Sequence, residues 1–117
     1  MPYFANPKNL YRGYLSTASA VLYTAPAPVT FGVQPKCVIK ELVICNTDTA
    51  ERTYNIDTVA YNGSVSGATK LCSAVTIAAS TMHRILLSCV LEAGETLRGH
   101  ADSASKVTIT VSGIELT

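Results

Sequence analysis

The sequence is poor in charge: Lys, Arg, Asp and Glu make up 15% of its 117 residues and leave a formal net charge of +1. An average soluble domain carries roughly 25% charged residues. Nothing in the bulk electrostatics therefore draws the chain to a polyanion, and nucleic acid is not an expected partner. Histidine is equally scarce. His83 and His100 are the only two, and neither lies at a metal-ligand spacing from a cysteine or from the other. Acid–base catalysis needs an oriented partner that neither has close in sequence, so no catalytic residue, metal site or cofactor is expected. No glycine-rich phosphate cradle is present, because Gly63 and Gly67 belong to a serine-rich loop that opens no helix. Asp48 with Glu51 and Glu92 with Glu95 flank turns without the oxygen-rich surroundings that Ca²⁺ requires. Every apolar run breaks within about 8 residues, far short of the ~20 needed to cross a bilayer, so no membrane partner is expected. The chain does not read as an enzyme.

Low charge has a second consequence. A chain this weakly charged is poorly suited to life as a free monomer, which favours a homo-oligomer or a subunit of a larger assembly. Cys37, Cys45, Cys72 and Cys89 form an even set that could pair. The start, Met1 to Pro7, carries neither the basic residues nor the apolar core of a secretory leader. Synthesis in the cytoplasm, with free and mostly buried thiols, is the corresponding expectation.

What the chain does have is strand pattern. Val107, Ile109, Val111 and Gly113 fall on one face of the final segment, and Thr108, Thr110, Ser112 and Ile114 on the other. Period-two alternation rich in Val, Ile and Thr predicts a half-buried strand. The preceding piece, Leu91 to Arg98 with its Ala93-Gly94 turn, reads as its partner in a closing strand pair. Lys36 to Asn46 predicts a central strand apolar on both faces, covered on both sides. Further strands are expected over Ser19 to Thr24, Arg52 to Tyr61, Leu71 to Ile77 and Met82 to Leu87. The Asn62-Gly63 dipeptide opens either a tight hairpin or a longer loop. No core helix is expected. Strands at such spacing, with turn signals between them, predict an all-β fold: a single antiparallel β-sandwich or jelly-roll-like domain over residues 19–117.

Residues 1–18 form the exception. Pro2, Pro7 and Gly13 punctuate them and no period is sustained, so they read as an extended, irregular N-terminal arm. The arm is nevertheless aromatic, with Tyr3, Phe4, Tyr11 and Tyr14, which disordered tails are not. Either it folds back along its own domain, or it reaches a neighbouring subunit, where Tyr is favoured.

Four segments in this order resemble a known group. They are Leu22-Tyr23-Thr24-Ala25-Pro26, Val38 to Thr47 ending in Asn46-Thr47, Leu91 to Leu97 around Ala93-Gly94-Glu95-Thr96, and Val111-Ser112-Gly113-Ile114-Glu115. Together they resemble small β-sandwich virion proteins of tailed bacteriophages, over residues 20 to 117. The four cysteines and the Gly99-His100 dipeptide depart from that pattern. The resemblance implies a structural role in a virion assembled in the host cytoplasm: a capsid decoration (cement) protein bridging subunits of the phage major capsid protein. The alternative is a small neck, tail or fibre component, one that could touch the host surface. On the arm, Tyr3, Phe4, Tyr11 and Tyr14 are the expected partner-binding anchors, with Lys8 and Arg12 as rim charges, and trimeric packing is the preferred assembly. A carbohydrate-binding module is the third class. It is disfavoured because loop aromatics are few, with Tyr54 and Tyr61 assigned to a strand.

Overall fold

A computed structural model of the chain describes residues 4–117. Eight strands make up the fold: β1 (Ala5–Tyr14), β2 (Ala20–Thr24), β3 (Lys36–Asn46), β4 (Arg52–Val59), β5 (Lys70–Ile77), β6 (Met82–Leu91), β7 (Thr96–Ala101) and β8 (Val107–Leu116). A single 3-10 turn, Gly67–Thr69, is the only helical piece among the described residues. Two four-stranded sheets face each other, ordered β1-β8-β3-β6 and β2-β7-β4-β5.

That order follows from one long hairpin wound on itself. β4 pairs with β5, β3 with β6, β2 with β7 and β1 with β8, all antiparallel. Winding then sets β3 beside β8 and β4 beside β7. An eight-stranded double sheet of this kind is a jelly roll. The all-β sandwich expected from strand spacing is therefore observed.

The alternation in sequence decides which atoms fill the space between the sheets. Val107, Ile109 and Val111 of β8 are fully buried, with Ile39, Leu42 and Ile44 of β3 beside them. Tyr54 and Ile56 of β4 and Leu97 of β7 close the core from the other sheet. Each such side chain removed from water contributes about 1.5–3 kcal/mol. The phase of β3 changes at a bulge between Ile39 and Glu41, which keeps Leu42 and Ile44 pointing inward.

Three expectations need correction. Residues 5–14 are not irregular: they form β1, the strand that completes the first sheet against β8. Proline and glycine hid the strand because an edge tolerates both, its outer N–H groups having no ladder to serve. β7 and β8 are not a pair, since they lie in different sheets and residues 102–106 cross between them. Nor is β3 covered on both sides. It is central, but Val38, Val43 and Cys45 on its outer face are only partly screened by neighbouring side chains.

Candidate partner-binding surface

The six residues expected to bind a partner do not form one cluster. Tyr3 lies outside the described residues. Phe4 is 73% exposed and caps the end of β1, its backbone pairing with Thr117. Tyr14 is exposed at the opposite end of β1, about 33 Å away at ~3.3 Å per residue. Arg12 is exposed, in register with Thr110. Lys8 is engaged within the chain, its Nζ 3.2 Å from Glu115 Oε1. Tyr11 turns inward and packs against the core. Its hydroxyl donates to the Tyr14 carbonyl at 3.3 Å.

A different group of apolar side chains converges at one end of the sandwich. The loops 25–35, 60–69 and 92–95 all emerge there, as do the start of β1 and the end of β8, because Ala5 and Lys36 both register with Leu116. The amide of Gly94 donates to the Pro26 carbonyl at 2.9 Å. Gly94 has a φ of +78°, and a Cβ there would meet Tyr61 at 2.7 Å and Pro28 at 3.3 Å. Tyr61, Pro28 and Gly94 are thus packed together by a turn that glycine permits.

The tip of the 25–35 loop is held by a side-chain clasp. Gln34 Oε1 accepts from the Val29 amide at 3.0 Å, and Gln34 Nε2 donates to the Val29 carbonyl at 2.8 Å. Thr30 to Val33 are pushed outward as a small loop, with Gly32 at φ +95°. Phe31 at its tip is 90% exposed, flanked by exposed Val29 and Val33. A large aromatic held in water on a backbone ordered in advance is costly for a free molecule, and it lowers the ordering entropy of binding. Tyr61 is 60% exposed beside this group and lies outside β4. The expected strand from Arg52 to Tyr61 therefore ends two residues early, and both Phe31 and Tyr61 are loop aromatics.

Sequence reasoning missed this end of the molecule. The signal was three bulky apolar residues, Val29, Phe31 and Val33, inside a loop bounded by Pro28 and Pro35. Such residues have no strand to belong to and no core to enter.

The opposite end is polar and knitted together. Asn46 is fully buried, and its Nδ2 donates to the carbonyls of Ala50, Ile77 and Ala78 at 2.9, 3.1 and 3.3 Å. Its Oδ1 accepts from the Asp48 amide at 3.0 Å. Thr47 adds bonds from both its amide and its hydroxyl to the Lys106 carbonyl. The Asn-Thr that closes β3 thus ties three loops into one unit.

The titratable groups of the core serve structure. Tyr23 of β2 reaches across the sandwich and donates its hydroxyl to Glu115 of β8. That bond, then the Lys8 ammonium, holds the Glu115 carboxyl below its ordinary value, while burial raises the Tyr23 phenol. Burial likewise pushes the thiols of Cys37, Cys72 and Cys89 up. All four cysteines are free. Tyr54 is buried, which pushes its phenol up to about 12, and its hydroxyl lies 2.9 Å from His83 Nδ1. Among the described residues no three His, Cys, Asp or Glu side chains gather where a metal could sit, and no helix is long and apolar enough to cross a membrane.

No protein-family model and no curated protein matches the sequence. The fold, however, is shared with virus particle proteins. A chain of the T13 IBDV viral particle aligns with a TM-score of 0.59 at 9% identity, covering 99% of this chain and 31% of that chain. A chain of infectious bursal disease virus strain Gx gives 0.55 at 11% identity, covering 97% of this chain and 31% of that one. This chain thus spans about a third of the length of either. At such identities the likeness is one of fold. β1 belongs to the matched region, since the alignment takes in nearly the whole chain.

Proposed function

We propose that this chain is a non-enzymatic structural protein of a virion, of the capsid decoration (cement) type expected from its resemblance to tailed-phage sandwich proteins. The observation that carries the reading is the complete eight-stranded jelly roll, matched over 99% of its length by part of a virus particle protein. Its work is binding by burial of complementary surface. A stable contact removes about 1,200–2,000 Å² from water, and a few well-placed aromatics supply most of its energy.

The loop end supplies such anchors. Phe31 on its clasped tip is the foremost, flanked by Val29 and Val33, with Tyr61 and Phe4 exposed at the same end. Arg12 and Tyr14 at the far end of β1 serve a second neighbour, as a bridging protein requires. Tyr3 precedes Phe4 in sequence and is assigned to the first contact. Tyr11 packs against the core and supports β1, while Lys8 pairs with Glu115 yet stays exposed and serves as a rim charge. The runner-up is a neck, tail or fibre component.

Copy number in purified particles separates the two. A decoration protein is present at a level comparable to the major head subunit, whereas a tail component is held to the few copies one tail can carry. Absence from washed particles overturns the virion reading altogether. Phe31→Ser should release a decoration protein from heads, because a central aromatic hot spot is worth about 2 kcal/mol or more. Retention of that variant at parent levels would place the contact elsewhere on the sandwich.

A further inference from the structure

Each of the two sheets has two edges, and an unprotected edge is a template for another strand. Three of the four edges are blunted. β1 carries Pro7, Lys8, Arg12 and a register shift between Asn9 and Tyr11. β2 has only five residues and a shift between Val21 and Tyr23. β5 pairs with β4 through two shifts and holds Ala74 at φ +46°.

β6 is the fourth edge and, Arg84 apart, has only one of these devices, a register shift against β3 between Ile39 and Glu41. It runs ten residues, Met82–Leu91, with no proline or glycine. Its exposure alternates without a break, even where Leu87 and Ser88 together oppose Lys40 of β3. Met82, Leu86 and Val90 are exposed on the outer face, alternating there with Arg84 and Ser88, and Leu86 is 67% exposed. On the inner face Ile85, Leu87 and Cys89 touch the core but are only partly buried. Its one basic charge, Arg84, is already paired with Glu41 of β3.

The order of side chains on β6 is self-complementary. In an antiparallel pairing of the strand with itself, centred on Leu86, Leu86 meets its own copy and Met82 meets Val90 of the partner subunit. Arg84 then meets Ser88 of the partner subunit, and on the inner face Ile85 meets Leu87 of the partner subunit. Sliding one step either way sets Arg84 against Leu86 or Val90. A further step sets Arg84 against Arg84. Directly opposed apolar pairs stabilise a sheet and opposed like charges destabilise it, so one register is favoured.

We infer that β6 is a self-association edge: two copies of this chain join β6 to β6 about a two-fold axis at Leu86, fusing their β1-β8-β3-β6 sheets into one continuous sheet. A ring of three would need β6 to pair with a different edge, and those edges are blunted. A two-fold dimer is thus proposed in place of the trimer preferred from sequence. Dimerisation leaves the loop end free, so the inference stands whether or not that end binds a capsid.

Sedimentation of the purified full chain over a range of concentrations tests this. A reversible monomer–dimer equilibrium is expected. Leu86→Lys, at an exposed position, should raise the dimer dissociation constant by about tenfold or more and leave the melting temperature of dilute, monomeric protein unchanged. Ser88 accepts from Lys40 Nζ at 2.9 Å, so Ser88→Glu places a carboxylate between Lys40 and Arg84 of the partner subunit and should tighten the dimer several-fold, whereas Ser88→Arg should loosen it. Phe31→Ser should leave the equilibrium unchanged. A strictly monomeric or trimeric parent, or a dimer indifferent to both Leu86→Lys and Ser88→Arg, overturns the inference.

Discussion

Gly113→Ala tests the geometry of the core most directly. Gly113 lies on the inner face of β8, in register with Ile39 at the bulge of β3. A Cβ there would stand 2.5 Å from the Val38 carbonyl oxygen, 2.9 Å from Leu10 Cδ1 and 3.3 Å from Ile39 Cα. Ordinary contact begins at 3.4 Å, so β3 and β8 must separate by close to an ångström in the middle of a four-stranded sheet. Leu10 can rotate; a carbonyl held in a sheet ladder cannot. Overpacking of this kind costs about 1–3 kcal/mol, and the backbone clash sets the expectation near the upper figure. For a domain of this size, about 3 kcal/mol lowers Tm by about 10–15 °C. Thermal unfolding followed by circular dichroism, with urea denaturation alongside, measures the effect. Gly67→Ala is the control, since a Cβ there meets nothing within 4 Å, and its stability should stay within about 0.5 kcal/mol of the parent. If Gly113→Ala melts within about 3 °C of the parent, against the slope expected for this size, the close approach of β3 to β8 at the bulge is wrong.

Other consequences are equally direct. The Glu115 carboxyl is held below its ordinary value of 4.5 by the Tyr23 hydroxyl and then by Lys8, so its contribution is full above that value and is lost as pH falls through the lower, folded-state value. Tyr23→Phe should cost about 1.5–3 kcal/mol at neutral pH, as for a hydrogen bond to a charged group, and urea midpoints across the acid range should show a shallower loss than the parent. Asn46→Ala removes the donor shared by three carbonyls and leaves that of Ile77 buried without it; a loss of about 1–3 kcal/mol in urea unfolding is expected. Cys37 is fully buried with a raised thiol, so brief maleimide treatment of the native protein followed by mass mapping should leave it unlabelled and label it fully in urea.

Alternation made much of the fold legible. The Val107 to Gly113 face is buried as its period requires, and β3 runs over the expected residues, Lys36–Asn46. Pairing was not legible, for a physical reason. Only β4 and β5 are both consecutive and hydrogen-bonded; every other connection crosses from one sheet to the other. The turn chemistry at Asp102-Ser103-Ala104-Ser105 is the same whether the next strand pairs with the last or faces it across the core. β1 was missed because Pro7, Lys8 and Gly13 suit an edge strand and a loop equally well. Aromatic content alone did not show exposure: Tyr11 lies against the core, whereas Phe4, Tyr14 and Phe31 are exposed.

Polarity divides the molecule along its long axis, and that division bears on how it could join neighbours. At one end Asn46, Thr47 and the Asp48–Arg52 ion pair satisfy the loop backbone from within, with Tyr14 and Met82 exposed beside them. At the other, the Gln34 clasp spends its hydrogen bonds on holding Phe31 outward. A polar tip would keep this loop soluble just as well, so solubility does not account for Phe31. The proposed burial against a partner would. Charge neutrality fits the same picture, because at +1 long-range steering is weak and affinity must come from short-range contact. The apolar end and the β6 edge are the two contacts proposed, on different faces. With both occupied, one copy links a second copy sideways and a third protein at its tip, which is the connectivity a stapling subunit needs.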